Sequence, residues 1–130
     1  MSVYHNGKYP RRGEIYYVKK GGTTSTGSET WSNRHAVIVS ADYMNKRASV
    51  VEVVYITTQD KNETPTHVDI STPTIQRTIL CEQIVAVDKT RIVEYKGRLS
   101  KKQMEQIDKS LAWNLDLFRY LGNNRVDNSP

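Results

Sequence analysis

One cysteine and three histidines among 130 residues leave little material for cross-links or metal sites. Cys81 alone cannot make an internal disulfide, and His5, His35 and His67 are too scattered for ligand spacing, so neither a metal nor another cofactor is expected. No apolar run approaches the length of a membrane span, and no leader of the secretory kind opens the chain. With a reduced thiol, these absences place the expected site of action in the cytoplasm, with no membrane partner. Internal repeats are also missing. What remains is a length that fits one domain, large enough to bury a core without staples.

The formal charge is +5, and its distribution says more than its size. Residues 1 to 50 carry eight Lys/Arg against three Asp/Glu, whereas residues 51 to 130 carry eleven of each. A basic half beside a neutral half points to a phosphate-rich partner, although a merely basic soluble surface would have the same composition.

Along the chain, MSVYHNGKYP is polar and without period, and is read as an N-terminal tail over residues 1–10. A first strand is expected at Ile15 to Val18, between Gly13 and the Gly21–Gly22 pair. GGTTSTGSETWSN follows, a loop longer than compact domains normally use, and loops of that length are usually functional or disordered. HAVIVS reads as a strand buried on both faces, and DYMNKR as a turn or one helical turn. ASVVEVVYITT is the longest strand, with Val51, Val53, Tyr55 and Thr57 on one face and Val50, Glu52, Val54 and Ile56 on the other. THVDIS, TILCEQIVAVD and RIVEYKG complete a set of short strands that predicts a small barrel. At Leu99 the pattern changes. Ser100 and Gln103 form a capping box, Leu99 and Met104 stand at staple spacing, and Met104, Ile107, Leu111, Leu115, Phe118 and Leu121 make one apolar stripe. That predicts a helix ended by Gly122, with residues 123–130 a polar tail and residues 11–122 the domain.

Taken in order, RRGEIYYV, GSE with an arginine five residues after the glutamate, VVYIT, PTHVDI, LCEQIVAVDKTRI and a helix containing QMEQIDKSL resemble the MazF/PemK family of bacterial toxins. The likeness runs from about Arg12 to about Phe118. It implies a mainly β fold with a C-terminal helix, an SH3-like small barrel, usually as a homodimer. It also implies a metal-independent, sequence-selective endoribonuclease acting on single-stranded RNA, and an antitoxin partner whose acidic, disordered tail blocks the RNA groove. This chain departs from the family pattern at Thr30, Trp31 and His35, and in its longer loop and N-terminal tail. Those departures bear on RNA sequence preference more than on the reaction.

Metal-free RNA cleavage uses the 2′-hydroxyl as nucleophile and leaves a cyclic phosphate and a 5′-hydroxyl. The site must offset charge growing on phosphate oxygens, accept the 2′ proton and protonate the leaving oxygen. Arg34 suits the first task because its guanidinium is always charged and forks onto two oxygens. By its match to the family's arginine it is the first catalytic candidate, assigned transition-state stabilisation and donation to the leaving oxygen rather than general-base work. Thr57 matches the threonine closing the family's central strand, where its hydroxyl can donate to the same phosphate; taken alone it is simply a good strand residue. Thr78 and Gln83 fall where the family places RNA-touching polar groups, and the Gln83 amide can read a base edge. Glu29, Thr30 and Trp31 on the loop are further RNA-binding candidates, Trp31 by stacking on a base or else by covering the barrel. Lys19 and Lys20, with Arg11 and Arg12, are expected to track the RNA backbone. His35 is a base by chemistry, but strand alternation predicts that it points away from the face used by Arg34. His67 is expected to make a structural hydrogen bond, and Cys81 to be a buried, inert thiol.

Two other functions fit the same fold. A CcdB-like gyrase poison relies on a tryptophan near an apolar chain end, whereas this chain ends NNRVDNSP. A noncatalytic SH3-like module binding RNA or protein needs no clamp at all.

Overall fold

The computed structural model describes residues 2–20, 34–59 and 61–120. Among these residues six strands and two α-helices follow in the order β1 (Glu14–Val18), β2 (Arg34–Ile38), α1 (Asp42–Arg47), β3 (Val50–Thr57), β4 (His67–Asp69), β5 (Thr78–Asp88), β6 (Ile92–Arg98) and α2 (Lys101–Asn114), with a single 3-10 turn, Lys89–Arg91, between β5 and β6. All strands form one sheet in the order β4-β5-β3-β2-β1-β6, and every pairing is antiparallel. The sheet is barrel-like but unclosed, since the outer strands β4 and β6 do not pair with each other.

Both faces of the sheet are buried, as the near-continuous apolar runs of β2 and β3 require. Ile15, Val37, Val54, Ile56, Ile79 and Cys81 form one core with Ile107 of α2. Tyr16, Val18, Ala36, Ile38, Val51, Val53 and Tyr55 form the other. The two faces of β3 divide as its alternation predicts. Gly13 lies at the junction with α2: its φ is +92°, and a Cβ there would lie 3.5 Å from Met104. A side-chain-bearing residue would be strained at that angle, which explains the glycine.

The N-terminal segment, read as a polar tail, makes ordered contacts with the sheet. The Tyr16 hydroxyl accepts from His5 N–H (3.1 Å) and donates to Glu14 Oε1 (2.9 Å), which also accepts from Arg11 N–H (2.7 Å). His5 stacks on Tyr95 at 4.3 Å, and Tyr4 meets Tyr16 edge-on. Aromatic contacts of this kind need no period in the sequence, so a hydropathy pattern misses them.

The capping box of α2 is present, with Ser100 accepting from Gln103 N–H and Gln103 accepting in return. The helix ends at Asn114, however, earlier than its apolar stripe predicts. Asp116 adopts φ 58°, Leu117 N–H donates to the Ala112 carbonyl and Asp116 N–H to that of Trp113. That is a Schellman stop with aspartate in the left-handed position usually held by glycine. Asn114 Nδ2 donates to the Cys81 carbonyl (3.2 Å), fastening the helix end to β5. Leu115 and Phe118 are therefore 52% and 43% exposed rather than buried. Leu121 and the predicted stop at Gly122 lie outside the described residues. No helix among the described residues is long and apolar enough to cross a membrane.

Candidate active site

The strand register creates the site. Ala36, Val37 and Ile38 of β2 pair with Tyr55, Val54 and Val53 of β3, and there the ladder stops. Arg34 and His35 continue to pair only with β1, opposite Val18 and Tyr17. Continuing the β2–β3 register by two places would set Thr57 opposite Arg34, so the two residues flank an opening between strands that have parted. A cleft of about 480 Å³ occupies this opening, lined by Arg34, His35, Thr57, Gln59, Lys61 and Gln83 among others.

Arg34 lies diagonally across from Tyr55, the relation in which long side chains meet on one sheet face. Its guanidinium carbon sits 4.6 Å from the Tyr55 ring centroid. Partial burial draws the guanidinium pKa below its ordinary value, opposed by the Tyr55 hydroxyl, but arginine keeps its proton. Among the described residues no carboxylate pairs with it. An aromatic face holds a cation without occupying its N–H donors, so the fork stays available for an anion. Thr57 Oγ1 accepts from Gln59 N–H at 3.1 Å, which leaves its own hydroxyl hydrogen to donate. Tyr55 itself is 1% exposed, and its hydroxyl has no partner among the described residues. Tyr55→Phe is expected to keep the stacking and to raise stability by about 1 kcal/mol by removing a buried unsatisfied group. Thermal unfolding checks this.

Gln83 reaches the cleft through a break in the β3–β5 ladder. Val54 pairs with Ile84 and Tyr55 with Leu80, so Cys81, Glu82 and Gln83 have no partner on β3. The excess residues bend β5 and re-aim their side chains. Thr78 pairs with Thr57 but is only 4% exposed and is absent from the cleft lining. This burial does not support the expected RNA contact; the hydroxyl instead accepts from Gln76 Nε2 at 3.5 Å. His35 departs from the alternation argument in the other direction. Although Arg34 and His35 belong to opposite faces, the parted strands expose both to the same opening. Lys19 and Lys20 are exposed just beyond β1 and outside the lining. Lys19 is tied to Arg91 by two hydrogen bonds of 2.8 and 2.9 Å. Glu29, Thr30 and Trp31 lie outside the described residues. Thr58, Gln59 and Lys61 also line the cleft, although no motif in the sequence singles them out.

Residues 11–115 match the family described as the PemK-like, MazF-like toxin of type II toxin-antitoxin systems. The chain belongs to that toxin family. Endoribonuclease MazF9 of Mycobacterium tuberculosis is 33% identical over 117 residues, covering 83% of this chain and 98% of that protein. Among solved structures, an endoribonuclease in complex with its cognate antitoxin from mycobacterial species is similar at a TM-score of 0.70. It is 24% identical and covers 83% of this chain and 96% of its own. MazF from Deinococcus radiodurans is similar at a TM-score of 0.71, with 17% identity, 84% of this chain and 98% of its own. At these identities the two structures establish a common fold.

Two other residues of this PemK/MazF-type domain take structural places, as expected. His67 Nδ1 meets the Asn62 carbonyl at 2.8 Å and Nε2 meets Glu82 Oε2 at 3.0 Å. Burial opposes ionisation of Glu82, but hydrogen bonds led by that from His67 outweigh it and hold the carboxyl below its ordinary range. Burial pushes the Cys81 thiol up to about 12, beyond reach of reactive chemistry near neutrality. Among the described residues no three metal-ligating side chains cluster.

Proposed function

We propose that this toxin is a metal-independent endoribonuclease cleaving single-stranded RNA by attack of a 2′-hydroxyl on the adjacent phosphate. The observation that carries this reading is the placement of Arg34, paired with no carboxylate among the described residues and held on Tyr55, across an open cleft from the Thr57 hydroxyl. Both groups donate to a phosphate entering between the parted strands, and both are fixed by paired backbone before charge develops there. Arg34 bridges the non-bridging oxygens and hydrogen-bonds the leaving oxygen, while Thr57 supplies a second donor. Gln83, with donor and acceptor on one amide, is positioned to read a base edge.

The same reading extends to partners. An acidic, disordered antitoxin tail would find Arg34 and Lys61 in the cleft and compete with RNA for them, and the functional unit is a homodimer in the cytoplasm. Lys19 and Lys20 contact phosphates outside the cleft as point charges. Replacing either by alanine is expected to weaken binding of all RNA sequences alike and to reduce the salt slope by about one. Filter binding of unrelated oligoribonucleotides across a salt series checks this.

The test of function is direct. Purified protein is incubated with a long mixed-sequence single-stranded RNA in EDTA, and the fragment ends are analysed. Fragments ending in cyclic phosphate support the ribonuclease. Intact RNA across varied sequences would turn the assignment to a noncatalytic binding module.

A further inference from the structure

We propose that His35 is the group that accepts the 2′-hydroxyl proton, a role that rests on the ribonuclease reading above. His35 follows Arg34 directly on β2 and lines the same cleft as Arg34 and Thr57. His35 is exposed as a residue, with its ring partly desolvated, and its one described ring contact is an edge-on approach to Tyr17 at 5.4 Å. Neither ring nitrogen has a hydrogen-bond partner among the described residues, so both are available to a ligand. By contrast, the nitrogens of His67 are both occupied. Of the three histidines, His35 alone lines the cleft.

The surroundings fit an acceptor. Tyr17 pairs with His35 on one side and with Glu94 on the other, so Glu94, Tyr17 and His35 form one row across β6, β1 and β2. Glu94 is itself engaged by Lys96 at 3.2 Å. Arg34 stands beside the histidine on its own strand, and Arg77, at the entry to β5, adds another cation. Burial, with Lys96 and Arg77, lowers the His35 pKa below its ordinary value, and Glu94 opposes this only in part. A base with a pKa below the working pH is neutral and ready.

The step balances without a co-reactant other than water. The 2′-oxygen bonds to phosphorus as its proton passes to a ring nitrogen of His35, and the phosphorus bond to the 5′-oxygen breaks. The 5′-oxygen, hydrogen-bonded by Arg34, takes a proton from solvent, and His35 later returns its own to solvent. Arg34 cannot serve as the acceptor, because it does not give up its proton.

The experiment measures kcat/KM for cleavage of a mapped site in single-stranded RNA from pH 5 to 9, for the wild type and for His35→Gln and His35→Asn. The wild type is expected to lose activity as pH falls through a single limb centred below about 6.5, the ordinary histidine value. Both variants are expected to fall by about 10²-fold at neutral pH and to lack that limb, while RNA affinity and thermal unfolding stay within about two-fold and 2 °C, as an exposed site predicts. Activity close to that of the wild type, or slower cleavage that keeps the limb, would assign the proton to another group. If the wild type cuts RNA and Arg34→Ala does not, either result overturns the role of His35 alone; a wild type that leaves RNA intact overturns the ribonuclease itself.

Discussion

Arg34→Ala is expected to lower kcat and kcat/KM for RNA cleavage together, by about 10² to 10³-fold, as loss of a transition-state donor does. On the proposed mechanism the guanidinium fork would meet charge that is larger in the transition state than in bound RNA, so ground-state binding should weaken far less. Arg34→Lys separates charge from geometry. Lysine keeps a cation but brings a single point of donation, so only part of the rate should return. Single-turnover cleavage, with RNA affinity measured separately, resolves the two contributions. Thermal unfolding should change little, because the side chain is only partly buried and forms no ion pair among the described residues. Unchanged turnover in Arg34→Ala would remove the arginine from the chemistry.

Ile107→Ala should have the largest effect on stability, costing about 2 to 5 kcal/mol. Ile107 is fully buried and joins α2 to a core containing Val37, Val54, Ile79 and Cys81, so truncation leaves a cavity that strands on several sides cannot collapse to fill. For a domain of this size the melting temperature should fall by on the order of 10 °C or more. Leu115→Ser serves as the contrast. It belongs to the same apolar stripe in sequence, but it is 52% exposed beyond the helix stop and should change stability by less than about 0.5 kcal/mol.

That contrast shows where sequence reading succeeds and where it ends. The strands, their two buried faces and the capping box were all legible because period and local hydrogen bonding are encoded by neighbouring residues. The early stop of α2 was not, because aspartate rather than glycine takes the left-handed position. Within the candidate site, Arg34 and Thr57 were found through family resemblance. Their meeting depends on where the β2–β3 ladder ceases, and a linear pattern does not encode that. The same cause brought His35 into the cleft against the alternation argument. Thr78 is the complementary case: its position on an alternating strand gives no sign that it is buried and outside the cleft lining. The packing of the N-terminal segment through Tyr4, His5 and Tyr16 likewise depends on aromatic contacts between residues distant in sequence.

The irregular stretch Cys81–Gln83 separates two tasks mechanically. Arg34 is anchored by its pairing with β1 and Thr57 by its pairing with β5, whereas Gln83 hangs from a segment with no bonds to β3. If Gln83 reads a base as proposed, a change at position 83 would alter nucleotide preference while Arg34 and Thr57 keep their alignment. A lineage of such toxins could diversify its targets without first surviving a disarmed ancestor.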